Sequence, residues 1–139
     1  ALAVGYRHLT ERVEIAGRIK EAGYETPPLI HPAAYVDPTV EIGTGALVMA
    51  SCSVDHDADI GAFAVLWPGV VLSHDSRVGK NAFVSPNATI CGHSEIGKNV
   101  VIGAGAIIVD GMHVPDDSFV KAGTVWFERS DADTEGEQG

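Results

Sequence analysis

Apolar residues recur at every sixth position over most of the chain. Read in blocks of six from Ile30, sixteen blocks run to Val125 without an insertion, and each block begins with Ile, Val or Leu. The fifth position is mostly Ala or Ser, which suits a second and shallower inward site. A short fixed period of this kind is typical of a solenoid whose stacked units bury one continuous core. The pattern predicts a parallel β-helix of hexapeptide repeats.

The fourth position of the blocks predicts the corners of this β-helix. Eleven of the sixteen blocks carry Gly, Asn or Asp there, residue types that tolerate a positive φ angle. These residues are Gly45, Asp57, Gly69, Asp75, Asn81, Asn87, Asn99, Gly105, Gly111, Asp117 and Gly123. A longer period is marked by Gly43, Gly61, Gly79 and Gly97, which recur once every three blocks. Each coil is therefore predicted to have three sides, and about five coils stack at about 4.8 Å.

The segment before the repeat predicts a short strand and a helix. The first five residues, ALAVG, are typical of a buried strand, and Thr10 is the predicted N-cap of a helix over Glu11–Ala22. Gly23 follows as the predicted C′ residue. An apolar helix face is predicted for Leu9, Val13, Ala16 and Ile19. Because the end repeats of a solenoid need covering, residues 1–29 are predicted to cap the prism formed by residues 30–127.

Charge and composition argue against several classes of function. The net charge is −10 at pH 7, and residues 128–139 hold five acids and one arginine, which predicts a disordered acidic tail. An acidic chain without a basic cluster argues against binding of nucleic acid or of anionic membranes. No apolar run approaches the roughly 20 residues that span a membrane, no signal peptide is predicted, and Cys52 and Cys91 lack the spacing of metal or redox motifs. These features predict a cytoplasmic protein with reduced thiols.

The segment VVLSHDSRVGKNAFV, residues 70–84, contains the candidate chemical group of the chain, the pair His74–Asp75. His74 takes the third position of its block, next to a corner, where side chains are predicted to face outward without a packing role. An imidazole suits a general base because its unperturbed pKa, about 6.5, lies near neutral pH. A solvated surface histidine is the alternative interpretation from position alone. Asp75 occupies a predicted positive-φ corner, so a turn role explains it equally well.

The hexapeptide pattern resembles the left-handed parallel β-helix of bacterial acyltransferases, an all-β fold. Within it, VVLSHDSRVG is similar to the catalytic segment of sugar acetyltransferases of the sialic-acid O-acetyltransferase and bacillosamine N-acetyltransferase type. The resemblance implies that His74 is the catalytic base and that Asp75 orients it. It also implies acetyl-CoA as cosubstrate, bound along a groove between the subunits of a homotrimer. The matching cofactor-binding positions are Gly92, Ala104 and Ala122, where small residues let a ligand approach the backbone.

The acceptor side of the resemblance depends on the N-terminal flank. The run AVG…R…LIHPAA is similar to the end of the small domain that binds the nucleotide-sugar in this family, which implies a sugar or nucleotide-sugar acceptor with an amine or a hydroxyl group. Three features depart from the family pattern. Trp67 stands where the family commonly has Asn, Phe83 stands where it commonly has a second His, and the closing Gly-x-Pro-Ala motif is absent.

Two other classes of function fit the same fold. A non-catalytic trimeric scaffold is favoured by the departures from the family motifs. A metalloenzyme similar to the γ-type carbonic anhydrases would use His56, His74 and His93, which the three-block period brings to neighbouring coils. The γ-type pattern requires two histidines five residues apart, and the chain has no such pair. The sequence therefore favours an acyltransferase without a metal ligand.

Overall fold

The computed structural model of the chain describes residues 5–127. Over the repeat in these residues, seventeen strands of two residues each alternate with four-residue turns. Internal strands pair in parallel with the equivalent strands of the coils before and after them, so that Val84 lies between Leu66 and Ile102. Three narrow sheets result, and together they form a triangular prism. This architecture confirms the predicted left-handed parallel β-helix of about five coils.

Each sheet takes every third strand. Sheet A contains β1 (Leu29–Ile30), β4 (Leu47–Val48), β7 (Val65–Leu66), β10 (Phe83–Val84), β13 (Val101–Ile102) and β16 (Phe119–Val120). Sheet B contains β2 (Tyr35–Val36), β5 (Ser53–Val54), β8 (Val71–Leu72), β11 (Thr89–Ile90), β14 (Ile107–Ile108) and β17 (Val125–Trp126). Sheet C contains β3 (Glu41–Ile42), β6 (Asp59–Ile60), β9 (Arg77–Val78), β12 (Glu95–Ile96) and β15 (His113–Val114).

The first and fifth positions of the blocks build the core, as the pattern predicts. First-position side chains from Val48 to Val120 are all buried, and so are fifth-position side chains from Ala46 to Ala106. Burying an aliphatic side chain stabilises a fold by about 1.5–3 kcal/mol, so the column of first positions is a major source of stability. The first coil is less protected, because Ile30 remains 45% exposed.

All eleven predicted corner residues have positive φ angles, between 55° and 77°. Three further fourth-position residues, Ser51, Phe63 and His93, adopt the same conformation although their residue types do not predict it. The pairing of neighbouring coils therefore imposes a regular corner even where the local sequence does not favour one. One consequence concerns His93, which this conformation holds at a corner one coil after His74.

The N-terminal flank begins with a 3₁₀ turn at Tyr6–His8, which continues into α1, Leu9–Glu21. The predicted N-cap at Thr10 is wrong, because His8 precedes the helix and its side chain makes no cap hydrogen bond. The helix starts earlier since the preceding turn is already anchored, with the Tyr6 ring centroid 5.3 Å from that of Phe83. Gly23 has a φ angle of +83°, which confirms its predicted position after the helix.

Helix α1 packs along a side of the prism. Its first residue, Leu9, packs against a buried cluster on the outer surface of sheet A formed by Val65, Phe83 and Val101. The predicted apolar face is partly wrong, because Val13 is 41% exposed whereas Arg12 is completely buried. The start of the helix thus covers the middle of the outer surface of sheet A, whereas Leu29 and Phe119 at the two ends of that surface are 50% and 65% exposed.

Arg12 anchors α1 to the prism. Its Nη1 donates to the backbone oxygen of Phe63 at 2.9 Å and to Oδ1 of Asn81 at 2.7 Å. In turn, Nδ2 of Asn81 donates to the backbone oxygen of Leu9 at 3.0 Å. Burial lowers the pKa of the Arg12 guanidinium, whose Nε and Nη2 have no hydrogen-bond partner in the part of the chain that the structure describes. The two hydrogen bonds of Nη1 therefore hold the helix in its position on the prism.

Two predictions fall mostly or wholly outside the described residues. Of the predicted strand ALAVG only Gly5 is described, and the predicted acidic tail, residues 128–139, is not described at all. Among residues 5–127, no helix has the length and the apolar character needed to cross a membrane.

Candidate functional site

Four-residue turns stack along each of the three edges of the prism. The edge between sheets A and B is termed the first corner, that between B and C the second corner, and that between C and A the third corner. The second corner consists of residues 37–40, 55–58, 73–76, 91–94 and 109–112. Its backbone is tied from coil to coil, since the amides of Asp75 and His93 donate to the carbonyls of His56 and His74, both at 3.1 Å. Equivalent residues of the second corner are therefore about one strand spacing, about 4.8 Å, apart.

His74 lies at the second corner with its side chain 41% exposed. Its Nδ1 lies 3.0 Å from Oδ2 of Asp75. A carboxylate at Nδ1 favours the tautomer with the proton on that nitrogen, which leaves Nε2 free to accept a proton. The same hydrogen bond is the main cause that lowers the pKa of Asp75. The pair thus has the geometry of an oriented general base.

Space for the His74 ring depends on Gly92, its neighbour in the next coil. A Cβ atom added to Gly92 would lie 2.8 Å from both Cε1 and Nε2 of His74, and 3.0 Å from Oδ1 of Asp110. Gly92 therefore leaves the room that the imidazole occupies, a role beyond the cofactor contact that the sequence resemblance implies. Beneath the corner, Oγ of the buried Ser76 donates to the carbonyl of Cys91 at 3.0 Å and joins the two coils.

A second His–Asp pair repeats this geometry one coil earlier. Nδ1 of His56 lies 3.2 Å from Oδ2 of Asp57. The rings of His56 and His74 are nearly parallel, with an interplanar angle of 15° and centroids 5.4 Å apart. The hydrogen bond with Asp57 is the main cause that raises the pKa of His56, and the charges of Asp55 and Asp75 add to it. From the sequence His56 is predicted only as a possible metal ligand, although the recurrence of the His-Asp dipeptide after three blocks is a signal for a paired role.

His93 completes a group of three residues around His74 that could hold a metal ion. The His93 ring meets the His74 ring edge-on, with centroids 5.1 Å apart and planes at 86°. One ligand atom from each of His74, Asp75 and His93 lies within 4.8 Å of the others. Two imidazoles and a carboxylate are ligands that Zn²⁺ accepts in proteins. This group differs from the three histidines considered from the sequence, because Asp75 takes the place of His56.

The other predicted cofactor-binding residues lie on a different edge of the prism. Ala104 and Ala122 are exposed and occupy the third positions of two successive turns of the first corner. Sheet B separates them from Gly92 and His74. The five predicted site residues of one chain therefore form two groups, one on each edge of sheet B. Gly92 and Ala104 are two blocks apart in the sequence, and each coil has three blocks. The repeat itself therefore places these two residues at different corners of the prism.

A cavity of about 600 Å³ lies away from both groups, between α1 and the third corner. Its walls include Val13, Lys20, Phe63 and Lys80. None of the predicted site residues lines it. Hydrogen-bonded titratable groups indicate a chemical site more directly than cavity size does, so the second corner is the candidate site.

Comparison with protein families connects this corner to transferases. The family model described as bacterial transferase hexapeptide, with six repeats, matches residues 75–110. The matched segment includes Asp75, Gly92 and Ala104 and begins directly after His74. No curated protein sequence matches the chain.

Solved structures give the more extensive similarity. The acetyltransferase domain of PglB from Neisseria gonorrhoeae, solved in complex with acetyl coenzyme A, is 28% identical, with a TM-score of 0.84 over 86% of this chain and 58% of that one. PerB from Caulobacter crescentus, in complex with CoA and GDP-perosamine, is 31% identical, with a TM-score of 0.81 over 82% of this chain and 55% of that one. WeeI from Acinetobacter baumannii, 22% identical with a TM-score of 0.68 over 83% of this chain and 61% of that one, has the same fold.

The chain spans a little more than half the length of PglB's domain and of PerB. Over that length, the resemblance to hexapeptide-repeat sugar acetyltransferases that the sequence predicts is confirmed.

Proposed function

We propose that the chain is an acetyl-CoA-dependent acyltransferase that acetylates an amine or a hydroxyl group of a sugar or nucleotide-sugar. The observation that carries this proposal is the pair His74–Asp75, a half-exposed imidazole oriented at Nδ1 by a carboxylate. An imidazole oriented in this way is a common general base. The similarity to structures that hold acetyl-CoA, CoA and GDP-perosamine supports acetyl transfer as the reaction and a sugar as the acceptor.

In the proposed reaction, His74 Nε2 takes the proton of the acceptor amine or hydroxyl as that atom attacks the carbonyl carbon of the thioester. Asp75 stabilises the imidazolium that results. The new bond from nitrogen or oxygen to carbon forms, the carbon–sulfur bond breaks, and CoA leaves as the thiol. Backbone amides hold the negative charge that develops on the carbonyl oxygen.

The outer surfaces of the three sheets support a homotrimer. The start of α1 covers the middle of sheet A, and the outward residues of sheet C are polar or charged: Glu41, Asp59, Arg77, Glu95 and His113. Sheet B is exposed and largely apolar, with Tyr35, Val71, Ile107 and Val125 between 37% and 60% exposed. An exposed apolar surface of this kind favours protein–protein contact. We therefore propose that sheet B faces neighbouring copies of the chain.

This arrangement would also join the two groups of predicted site residues. Three prisms that turn sheet B towards a common axis would bring the second corner of one chain beside the first corner of the next. His74 and Gly92 of one subunit would then face Ala104 and Ala122 of its neighbour across a groove. In this proposal acetyl-CoA lies in that groove, where the small side chains let its pantetheine arm approach the backbone.

Calorimetric titration of acetyl-CoA and of CoA into the protein and into a His74→Ala variant tests the proposal. We expect binding of one molecule per subunit to both proteins, because His74 acts in the chemical step. Acetyl transfer to a panel of UDP- and GDP-linked amino sugars should be lost in the variant. If neither protein binds acetyl-CoA or CoA, the acyltransferase proposal is wrong, and a scaffold or a metal site at His74, Asp75 and His93 becomes the better interpretation.

A further inference from the structure

We propose that the cavity between α1 and the third corner binds a small organic anion, a molecule with an aromatic or aliphatic body and a phosphate, sulfonate or carboxylate group. This site is independent of the acetyl transfer proposed above, because none of the predicted site residues lines the cavity. Its volume of about 600 Å³ lies within the range of cavities that hold small-molecule ligands, about 300–1,000 Å³. The exposed residues Lys20 and Tyr24 line it, so a ligand can enter from solvent.

The walls of the cavity suit an apolar body. Val13 and Ala16 line it from α1, and Ala62 and Phe63 line it from the third corner. Tyr24, which is 73% exposed, adds a second aromatic ring. Aliphatic and aromatic side chains are the usual lining of ligand sites, because burial of the apolar surface of a ligand against them is favourable.

The fold itself does not account for a phenylalanine at position 63. Its φ angle is +59°, a conformation that is unusual for a bulky residue. Gly45 and Asn81 occupy the equivalent corner position in the neighbouring coils, and their residue types adopt this conformation more readily. A Cβ atom added to Gly45 would overlap the Phe63 ring, so the glycine makes room for that ring beside the cavity. A role in the wall of a ligand site explains the unfavourable conformation of Phe63.

Positive charges gather around the cavity although the whole chain is acidic. Lys20 and Lys80 line it, and Glu25 is the one acidic residue among the described residues of its lining. Within residues 5–127, neither lysine forms a salt bridge with a carboxylate. In a chain of net charge −10, two unpaired lysines at one cavity favour a ligand that carries negative charge.

The buried guanidinium of Arg12 adds a third positive charge next to the cavity. Its two hydrogen-bond acceptors, the carbonyl of Phe63 and the side chain of Asn81, belong to residues that line the cavity. The Arg12 side chain is completely buried, and its Nε and Nη2 have no hydrogen-bond partner in the described part of the chain. A desolvated cation without a carboxylate is unfavourable. An anion bound in the adjacent cavity would supply the opposite charge.

Fluorescence titration with 8-anilinonaphthalene-1-sulfonate, an aromatic anion, tests this proposal. N-phenyl-1-naphthylamine, which has the same aromatic body without the sulfonate, is titrated in parallel. The proteins are the unmodified chain, Lys20→Met, Lys80→Met, Gly17→Leu and the control Lys98→Met, which alters a lysine outside the cavity. Gly17 lines the cavity and nothing lies within 4 Å of a Cβ added there, so Gly17→Leu fills space without a clash. Circular dichroism verifies that the variants are folded.

We expect one molecule of the sulfonate to bind per chain. Lys20→Met and Lys80→Met should each weaken that binding about tenfold, because a charge-assisted contact is lost, and should bind the uncharged probe as the unmodified protein does. Gly17→Leu should bind neither probe, and Lys98→Met both. Sulfonate binding that survives in Gly17→Leu would overturn the proposal, because the probe would then lie elsewhere. Unchanged sulfonate affinity in both Lys20→Met and Lys80→Met, or no binding by the unmodified protein, would overturn it as well.

Discussion

At the scale of single residues, His56 and His74 owe their exposure to the geometry of the corner. Third-position side chains point away from the core, and the next residue turns the chain with a positive φ angle, 57° at Asp57 and 56° at Asp75. Aspartate tolerates this conformation better than most residues with a side chain. Its carboxylate then lies next to the ring of the preceding histidine. One residue thus serves both the turn and the orientation of the imidazole.

The environment of His56 predicts that its imidazole titrates at a higher pH than an ordinary histidine. Because the hydrogen bond with Asp57 raises its pKa, we expect an NMR titration midpoint for His56 above about 6.5, and a lower midpoint in Asp57→Asn. The folded chain binds this proton more tightly than the unfolded chain. The contribution to stability is therefore fully present below about pH 6.5 and is lost as the pH rises through the raised pKa. The control Asp59→Asn should leave the midpoint unchanged, and an equal shift in both variants would contradict the role of Asp57.

The contact between Gly92 and His74 gives a second prediction at this scale. In Gly92→Ala the new methyl group would overlap the imidazole, which lies 2.8 Å from the added Cβ. We expect the His74 ring to move, and thiol release from acetyl-CoA to fall about 10²-fold, as small displacements of catalytic groups can cause. NMR signals of His74 and steady-state rates measure the two effects. Gly17→Ala is the control, since nothing lies within 4 Å of a Cβ there, and unchanged His74 signals in Gly92→Ala would rule out the proposed overlap.

At the scale of elements, α1 is held to the prism by one buried polar network together with apolar packing. Asn81 joins Arg12, the backbone of Leu9 and, at 2.9 Å, the side chain of Asn99. With the hydrogen bond from Arg12 to the carbonyl of Phe63, the network connects the helix to three successive coils at the third corner. Among residues 5–127 no carboxylate pairs with the buried Arg12, so loss of a hydrogen-bond acceptor leaves its desolvated charge less satisfied.

A pair of corner variants isolates the contribution of this network. Asn81 and Asn87 both have positive φ angles, 57° and 61°, so replacement by Ala imposes a similar backbone cost of about 1–2 kcal/mol in each case. Asn81 is buried and Asn87 is exposed. We expect Asn81→Ala to be less stable than Asn87→Ala by about 1–3 kcal/mol, measured by urea denaturation. Equal losses would mean that the Arg12 network contributes little.

At the scale of the whole molecule, the three surfaces of the prism have different characters. The start of α1 covers the middle of sheet A, the outward residues of sheet C are polar or charged, and sheet B has exposed apolar residues from its first strand to its last. Sheet B also carries the candidate site on one edge and the two alanines on the other. Assembly and site formation are therefore proposed to depend on the same surface.

Disruption of sheet B should affect assembly and cofactor binding together. In Ile107→Asp a charge replaces a 40% exposed apolar side chain, and burial of an unpaired carboxylate in an interface is unfavourable. We expect light scattering to give a trimer for the unmodified protein and smaller species for the variant, with loss of acetyl-CoA binding. His113→Asp, at the equivalent outward position of sheet C, should remain trimeric. A monomeric unmodified protein would contradict the proposed groove.

Much of the fold can be predicted from the sequence, because each six-residue block carries its own core residue and most blocks carry their own corner residue. Every first position is apolar, and all eleven corner residues chosen by type have positive φ angles. The predictions fail where a residue responds to another part of the chain. Thr10 is not the N-cap because the turn before it is anchored on Phe83. Arg12 does not belong to the apolar face that the helix sequence predicts. It is nevertheless buried, because the third corner supplies its hydrogen-bond acceptors.

For the candidate site, too, some features follow from the repeat and others depend on contacts between coils. The repeat alone sets the coil, its period and the outward placement of His74, since hydrophobic burial at every sixth position leaves one possible register. The stacking of His56 on His74, the edge-on contact of His93 and the room that Gly92 leaves for the ring are seen only in the folded chain. Ring orientation depends on side-chain torsions and on neighbours in the adjacent coils, which a local pattern does not specify. Likewise, the repeat pattern does not specify that α1 starts on sheet A and leaves the apolar residues of sheet B exposed.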